Sequence, residues 1–173
     1  MYNERNGNLF DEVIIDKNNP KIIFMQCGSN DLALGAGIAR SFNAYYNTRN
    51  LLKELKKQIE DDNPNDNGIG NVYYTSPVLT LITKERFYHK PTLDTLSSCL
   101  EIIPDTIKNM IDSYETECKL EEIRCPMLGC GLDKLKWSDV RPLLIKLAKE
   151  LEELGINLTV IDYRLGDDTN GKN

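Results

Sequence analysis

Histidine is almost absent from this chain, with one residue, His89, in 173. Five cysteines accompany it, and no two of them form a CxxC pair. Zinc sites are built from clusters of such ligands, so this composition gives little to build one from. The odd cysteine count also argues against a disulfide framework, and the thiols read as packing residues. Long apolar runs are missing too. No stretch approaches the roughly 18 residues that a membrane-crossing helix needs. The segment Met1 to Gly7 has no apolar signal core, so the expected location is the cytosol or a compartment reached without a secretory signal, such as a nucleus. A basic excess is lacking as well. The formal net charge is −6, which argues against a general nucleic-acid binder but leaves room for a local basic cleft.

What is present is ordinary for a globular domain: 40% hydrophobic and 28% charged residues. The length suits one domain, expected over residues 1–165, with the polar tail 166–173 expected to be disordered. Short β-branched runs at 21–27, 72–74, 78–83, 123–127 and 156–161 read as strands. Pro77 argues against one unbroken central strand there. Helical stripes alternate with these runs. Ile38, Phe42 and Tyr45 or Tyr46 share one. Leu51, Leu52, Leu55 and Ile59 share a second, with Asn50 expected as its N-cap. A polar stretch dense in turn residues, 61–68, should follow as a mobile loop. Thr92 should cap a third stripe of Leu96, Leu100, Ile103 and Ile107. Pro104 inside it predicts a kink or two helices nearly in line. A fourth runs from Ser138 or Asp139 to Leu154 and stops at Gly155. Strands alternating with helices predict an α/β layer fold on a largely parallel sheet.

Chemistry concentrates at three strand ends. Gly35-Ala36-Gly37 precedes a helix and permits close backbone approach to an anion, although it lacks the third glycine of a dinucleotide fingerprint. Gly129-Cys130-Gly131-Leu132-Asp133 is a second loop of this kind, and two such loops suggest a diphosphate ligand. Taken alone, Asp133 reads as the cap of the following helix. Lys84 lies in a segment with Arg86, Phe87, Tyr88, His89 and Lys90, where neighbouring cations would favour a free amine. That segment also reads simply as a solvated basic loop.

Four blocks then occur in a telling order: Gly7-Asn-Leu-Phe10, Cys27 to Ala39, Leu81 to Thr92, and Pro126 to Trp137. Together they resemble the macrodomain family over roughly residues 5 to 163, most closely its terminal ADP-ribose protein glycohydrolase branch. The Leu81 to Thr92 block is what singles out that branch. The resemblance implies a single three-layer α/β/α sandwich with a mixed, mostly parallel sheet. It implies an ADP-ribose cleft at the strand carboxyl ends.

By this resemblance Gly35, Ala36, Gly37 and Ile38 form one wall around the diphosphate and distal ribose. Gly129, Cys130, Gly131 and Leu132 form the other. Asn8 takes the adenine-recognising position, where many relatives carry Asp and where an amide accepts through its oxygen. Leu9 and Ser29 complete the implied ligand set. Ser29 falls where other macrodomain branches use an asparagine for hydrolysis, so that mechanism is not assigned. The implied catalytic pair is Lys84 and Asp133, the lysine as nucleophile at C1″ of the distal ribose and the aspartate as acid and base. No cofactor is implied, ADP-ribose being ligand or product. The implied partners are ADP-ribosylated protein or nucleic acid. Separately from the resemblance, a monomer is the default expectation for a small domain, and the lack of a long apolar run gives no reason to expect a membrane partner. An ADP-ribose 1″-phosphate phosphatase and a non-catalytic reader of ADP-ribose share the same cleft and stay open as alternatives.

Overall fold

The computed structural model describes residues 1–10, 15–60 and 68–163. Ten elements follow in order. They are β1 (Tyr2–Asn6), β2 (Ile22–Ser29), α1 (Gly37–Tyr46), α2 (Thr48–Glu60), β3 (Val72–Thr75), β4 (Val78–Lys84), α3 (Leu93–Asp112), β5 (Glu122–Cys125), α4 (Trp137–Glu152) and β6 (Asn157–Asp162). The expected loop at 61–67 and tail at 166–173 lie outside the described residues.

The strands form one sheet in the order β1-β6-β5-β2-β4-β3. Every neighbouring pair is parallel except β3 with β4. Strand pleating sends alternate side chains to opposite faces. Ile23, Met25, Leu79 and Leu81 therefore join the large core beneath α3 and α4. Phe24 and Val78 point the other way and meet Phe42 of α1. Ile82 meets Leu52 of α2 on that same side. The result is a three-layer sandwich with two helices on each face.

Several boundaries differ from the sequence pattern for physical reasons. β1 was not expected, because Tyr-Asn-Glu-Arg-Asn has no apolar alternation. It is an edge strand with only Tyr2 partly buried, held by pairing with β6. Asn50 is not the cap of α2. That helix begins two residues earlier, straight after Asn47, whose left-handed backbone (φ 53°) closes α1. This start turns Leu52 inward and leaves Leu51 exposed. Pro77 separates β3 from β4, and the two strands pair antiparallel as a hairpin. α3 is one helix across Pro104, and Thr92 caps it through a reciprocal bond with Thr95. α4 starts at Trp137 with Lys136 at its N-cap and no side-chain cap. Asp133 is therefore not a helix cap.

The chain leaves β2 toward β4 through α1 and α2 on one face. It then returns from β4 to β5 through α3 on the other. β2 thus lies where the strand order reverses, and open α/β sheets leave a crevice at the carboxyl ends of such strands.

Candidate active site

A cavity of about 540 Å³ opens at that crevice. Its floor is the end of β2, from Cys27 to Ser29. One wall is the run Ala33 to Ala39 entering α1, and the other is Pro126 to Asp133 after β5. Lys84, Phe87 and Lys90 close it from the end of β4, and Tyr163 from beyond β6.

Ala36, the N-cap of α1, makes no side-chain capping bond. The first turn of α1, Gly37 to Ala39, lines the cavity without a side-chain cap, a setting suited to an anion at the positive end of the helix dipole. Gly37 takes a left-handed backbone (φ 58°), and a Cβ there would sit 3.4 Å from Leu132 Cδ1. The two glycine loops therefore meet across the cleft.

The second loop is tightly wound. Cys130 N–H donates to Met127, Lys134 N–H to Gly131, and Leu135 N–H to Gly129. Gly129 has φ 71°, and a Cβ would lie 2.7 Å from Leu135 Cδ1, so the winding requires glycine there. Lys134 takes φ 59° without being glycine, a strained conformation that the surrounding bonds impose. Asp133 is presented at this turn. Its Oδ1 accepts from Lys84 Nζ at 2.6 Å, and the two side chains are 17% and 13% exposed. The cations flanking Lys84 have other partners as well. Lys90 donates to the Leu132 carbonyl at 3.0 Å, and Arg86 acts on Asp31.

Asp31 joins three segments. It accepts from the Ser29 hydroxyl, from Ala33 N–H at 3.3 Å and from Phe87 N–H at 2.9 Å. Burial pushes its carboxyl up, but the bonds from Ser29, Phe87 and Ala33 and the nearby Arg86 outweigh burial and hold it below its ordinary value. A depressed carboxylate stabilises the fold above its unfolded value near pH 4 and stops doing so as pH falls through the folded value. Acid unfolding below about pH 4 should be less steep in Asp31→Asn. Circular dichroism melts between pH 2 and 6 check this, and equal acid sensitivity would refute it.

Cys27 also lines the cavity while packing against the core beneath α3 and α4. Burial raises its thiol well above the ordinary value, with Cys99, Asp133 and Cys125 adding and Lys84 opposing. It is held neutral and is no rival to Lys84 as a nucleophile.

The structure brings Ser29, Gly35, Ala36, Gly37, Ile38, Lys84, Gly129, Gly131, Leu132 and Asp133 to one cavity. Three expected ligand residues stand apart from its lining. Leu9 is 1% exposed and packs with Phe24 and Phe42 in the core, where removal from water stabilises its apolar side chain. The Cys130 thiol turns to the Leu128 carbonyl. Asn8 Oδ1 accepts from Phe10 N–H at 3.0 Å, so its side chain already braces its own turn. Phe87 lies in the cationic and aromatic segment already noted at the end of β4, and Met127 and Leu128 in the block before the second glycine loop, whereas Tyr163 carried no local signal that would have put it there. Among the described residues no group of three or more His, Cys, Asp or Glu could hold a metal ion, and no helix is long and apolar enough to cross a membrane.

Fold and site thus define a three-layer α/β domain with a cleft between two glycine loops and an ion pair at one end. No family model matches the chain. It is 32% identical over 138 residues to the ADP-ribose glycohydrolase OARD1 of Bos taurus, covering 79% of this chain and 78% of that protein. Its fold matches the macrodomain of Thermus aquaticus DarG with a TM-score of 0.69 and 19% identity, over 94% of this chain and 98% of that one. It matches a structure of Thermosipho africanus DarTG in complex with ADP-ribose with a TM-score of 0.60 and 20% identity, over 82% and 37% of the two chains. The chain belongs to the macrodomain family, in the branch of the terminal ADP-ribose glycohydrolases.

Proposed function

We propose that this chain binds ADP-ribose and hydrolyses its bond to a modified acceptor, with Lys84 as nucleophile and Asp133 as acid and base. The observation that carries the reading is the Lys84–Asp133 pair, 2.6 Å apart and largely withdrawn from water inside the cavity. A domain that only bound the ligand would need the glycine loops and not this pair. The OARD1 relative is named for ADP-ribose glycohydrolase activity, and the DarTG structure holds ADP-ribose, which favours the same ligand here.

The diphosphate would lie against the first N–H groups of α1 and the Gly129–Gly131 loop, and the distal ribose would reach Lys84. Adenine would extend toward Asn8. An ammonium has no lone pair, so Lys84 must lose a proton before it attacks, and Asp133 is placed to take it. The amine then bonds to C1″, which is aldehyde-like once the sugar ring opens. The bond from C1″ to the acceptor breaks, C1″–O for a carboxylate or C1″–N for a base joined through nitrogen, and the acceptor leaves with the electron pair. Water next adds to the C1″–lysine adduct with Asp133 acting as acid and base. That step releases ADP-ribose and restores Lys84. The acceptor is a Glu or Asp carboxylate or a nucleobase. No cofactor enters these steps. A cytosolic or nuclear monomer accords with this chemistry.

Calorimetry with ADP-ribose tests the cleft, and three substrates test the reaction: Glu-ADP-ribosylated protein, ADP-ribosylated DNA and ADP-ribose 1″-phosphate. Binding with release from the protein or the DNA is expected. Release from the 1″-phosphate alone would make the chain a phosphatase. Binding without any release would make it a reader, and no binding would remove all three readings.

A further inference from the structure

Ser29 has a single O–H to give, and its partner is Asp31. Ser29 is 3% exposed, yet it lines the cavity. What it can still offer a ligand is lone pairs. Phosphate oxygens are acceptors and gain nothing from such a group, whereas a sugar hydroxyl can donate to it. The phosphates have their own donors a few residues away, at the uncapped N-terminus of α1. Asp31 also takes the Phe87 N–H on its second oxygen. Backbone bonds reinforce that link, from Asn30 N–H to the Lys84 carbonyl at 2.9 Å and from Asp31 N–H to the Glu85 carbonyl at 3.2 Å. One carboxylate therefore fixes the proton of Ser29, the approach to the first glycine loop at Ala33, and the segment that begins with the nucleophile.

Resting on the functional reading above, we propose that Asp31 is a positioning residue that makes Ser29 an acceptor for a hydroxyl of the distal ribose and holds the Lys84 segment against the first glycine loop. The sugar is thereby set over Ser29, within reach of Lys84, and the diphosphate over α1. An amide in place of the carboxylate cannot serve all three donors. Its NH₂ must face either Phe87 N–H or the pair Ser29 and Ala33, so one link is lost whichever way it turns.

The test uses Asp31→Asn, Ser29→Ala and the double variant, with ADP-ribose and ADP as calorimetric probes. ADP carries the diphosphate and the adenosine but lacks the distal ribose. Either single substitution should weaken ADP-ribose about fivefold to tenfold and leave ADP within about twofold. Turnover should fall about tenfold to a hundredfold in Asp31→Asn. The double variant should be no worse than Asp31→Asn alone, since Ser29 acts through the orientation Asp31 sets. Equal weakening of ADP and ADP-ribose would overturn the proposal, as would single effects that multiply in the double variant. If Asp31→Asn does not fold, Ser29→Ala decides through the same ADP and ADP-ribose comparison. Wild-type binding and turnover are measured alongside, and their absence would count against the functional reading instead.

Discussion

Lys84→Ala should lower turnover by on the order of a thousandfold or more while ADP-ribose affinity stays within about tenfold. The asymmetry comes from the geometry. The surfaces that would hold the diphosphate belong to the backbone at 35–38 and 129–131, and none of that depends on the lysine side chain. The reaction depends on it entirely in the proposed scheme: among the described residues lining the cavity, the Lys90 amine is engaged on the Leu132 carbonyl and burial keeps the Cys27 thiol protonated. Loss of Lys84 also leaves Asp133 without its cation in a site where it is only 17% exposed. Some loss of thermal stability should follow, partly recovered in Lys84→Ala/Asp133→Ala. Single-turnover assays with calorimetry read both sides of the prediction. Wild-type turnover in Lys84→Ala would sink the lysine mechanism.

Gly131→Glu should reduce ADP-ribose affinity about a hundredfold or more and leave the thermal midpoint within a few degrees. Nothing in the fold requires glycine there. Its φ is not left-handed, and the nearest atom to an added Cβ is Tyr163 Oη at 4.0 Å. The new side chain would instead project into the cavity, filling it and setting a carboxylate against the diphosphate. Gly129 makes the contrast, since its φ of 71° and its closeness to Leu135 mean that a side chain strains the loop itself. Calorimetry beside a thermal melt distinguishes the two glycines. Retained binding in Gly131→Glu would show that the ligand passes elsewhere.

Much of this architecture was legible in the residues, for reasons that differ between elements. Buried parallel strands are short and continuously apolar, so β2, β4 and β6 stood out. Thr92 marked the start of α3 because its side chain serves a local backbone bond. β1 gave no such signal, since an edge strand is held by backbone pairing that any polar sequence can supply. Asp133 taken alone suggested a cap. Its partner lies 49 residues away, so no local pattern could pair the two and only the family resemblance did. Tyr163 was invisible as a wall residue because it reaches the cavity only through the fold. Leu9 shows the converse case: a residue inside a recognised motif whose side chain serves the core.

Lys84 and Asp133 do not come from adjacent strands. β2 runs between β4 and β5, so the pair spans two strand spacings, roughly 10 Å of sheet. Both contacts of β2 with those strands are long-range in sequence and form only when the sheet assembles. The ion pair thus requires both pairings of β2 to be in place. Opening either one should separate its members even where the outer helices stay formed. Activity then behaves as a gauge of sheet integrity, and a chain with its helices intact but its central strands apart would be chemically silent.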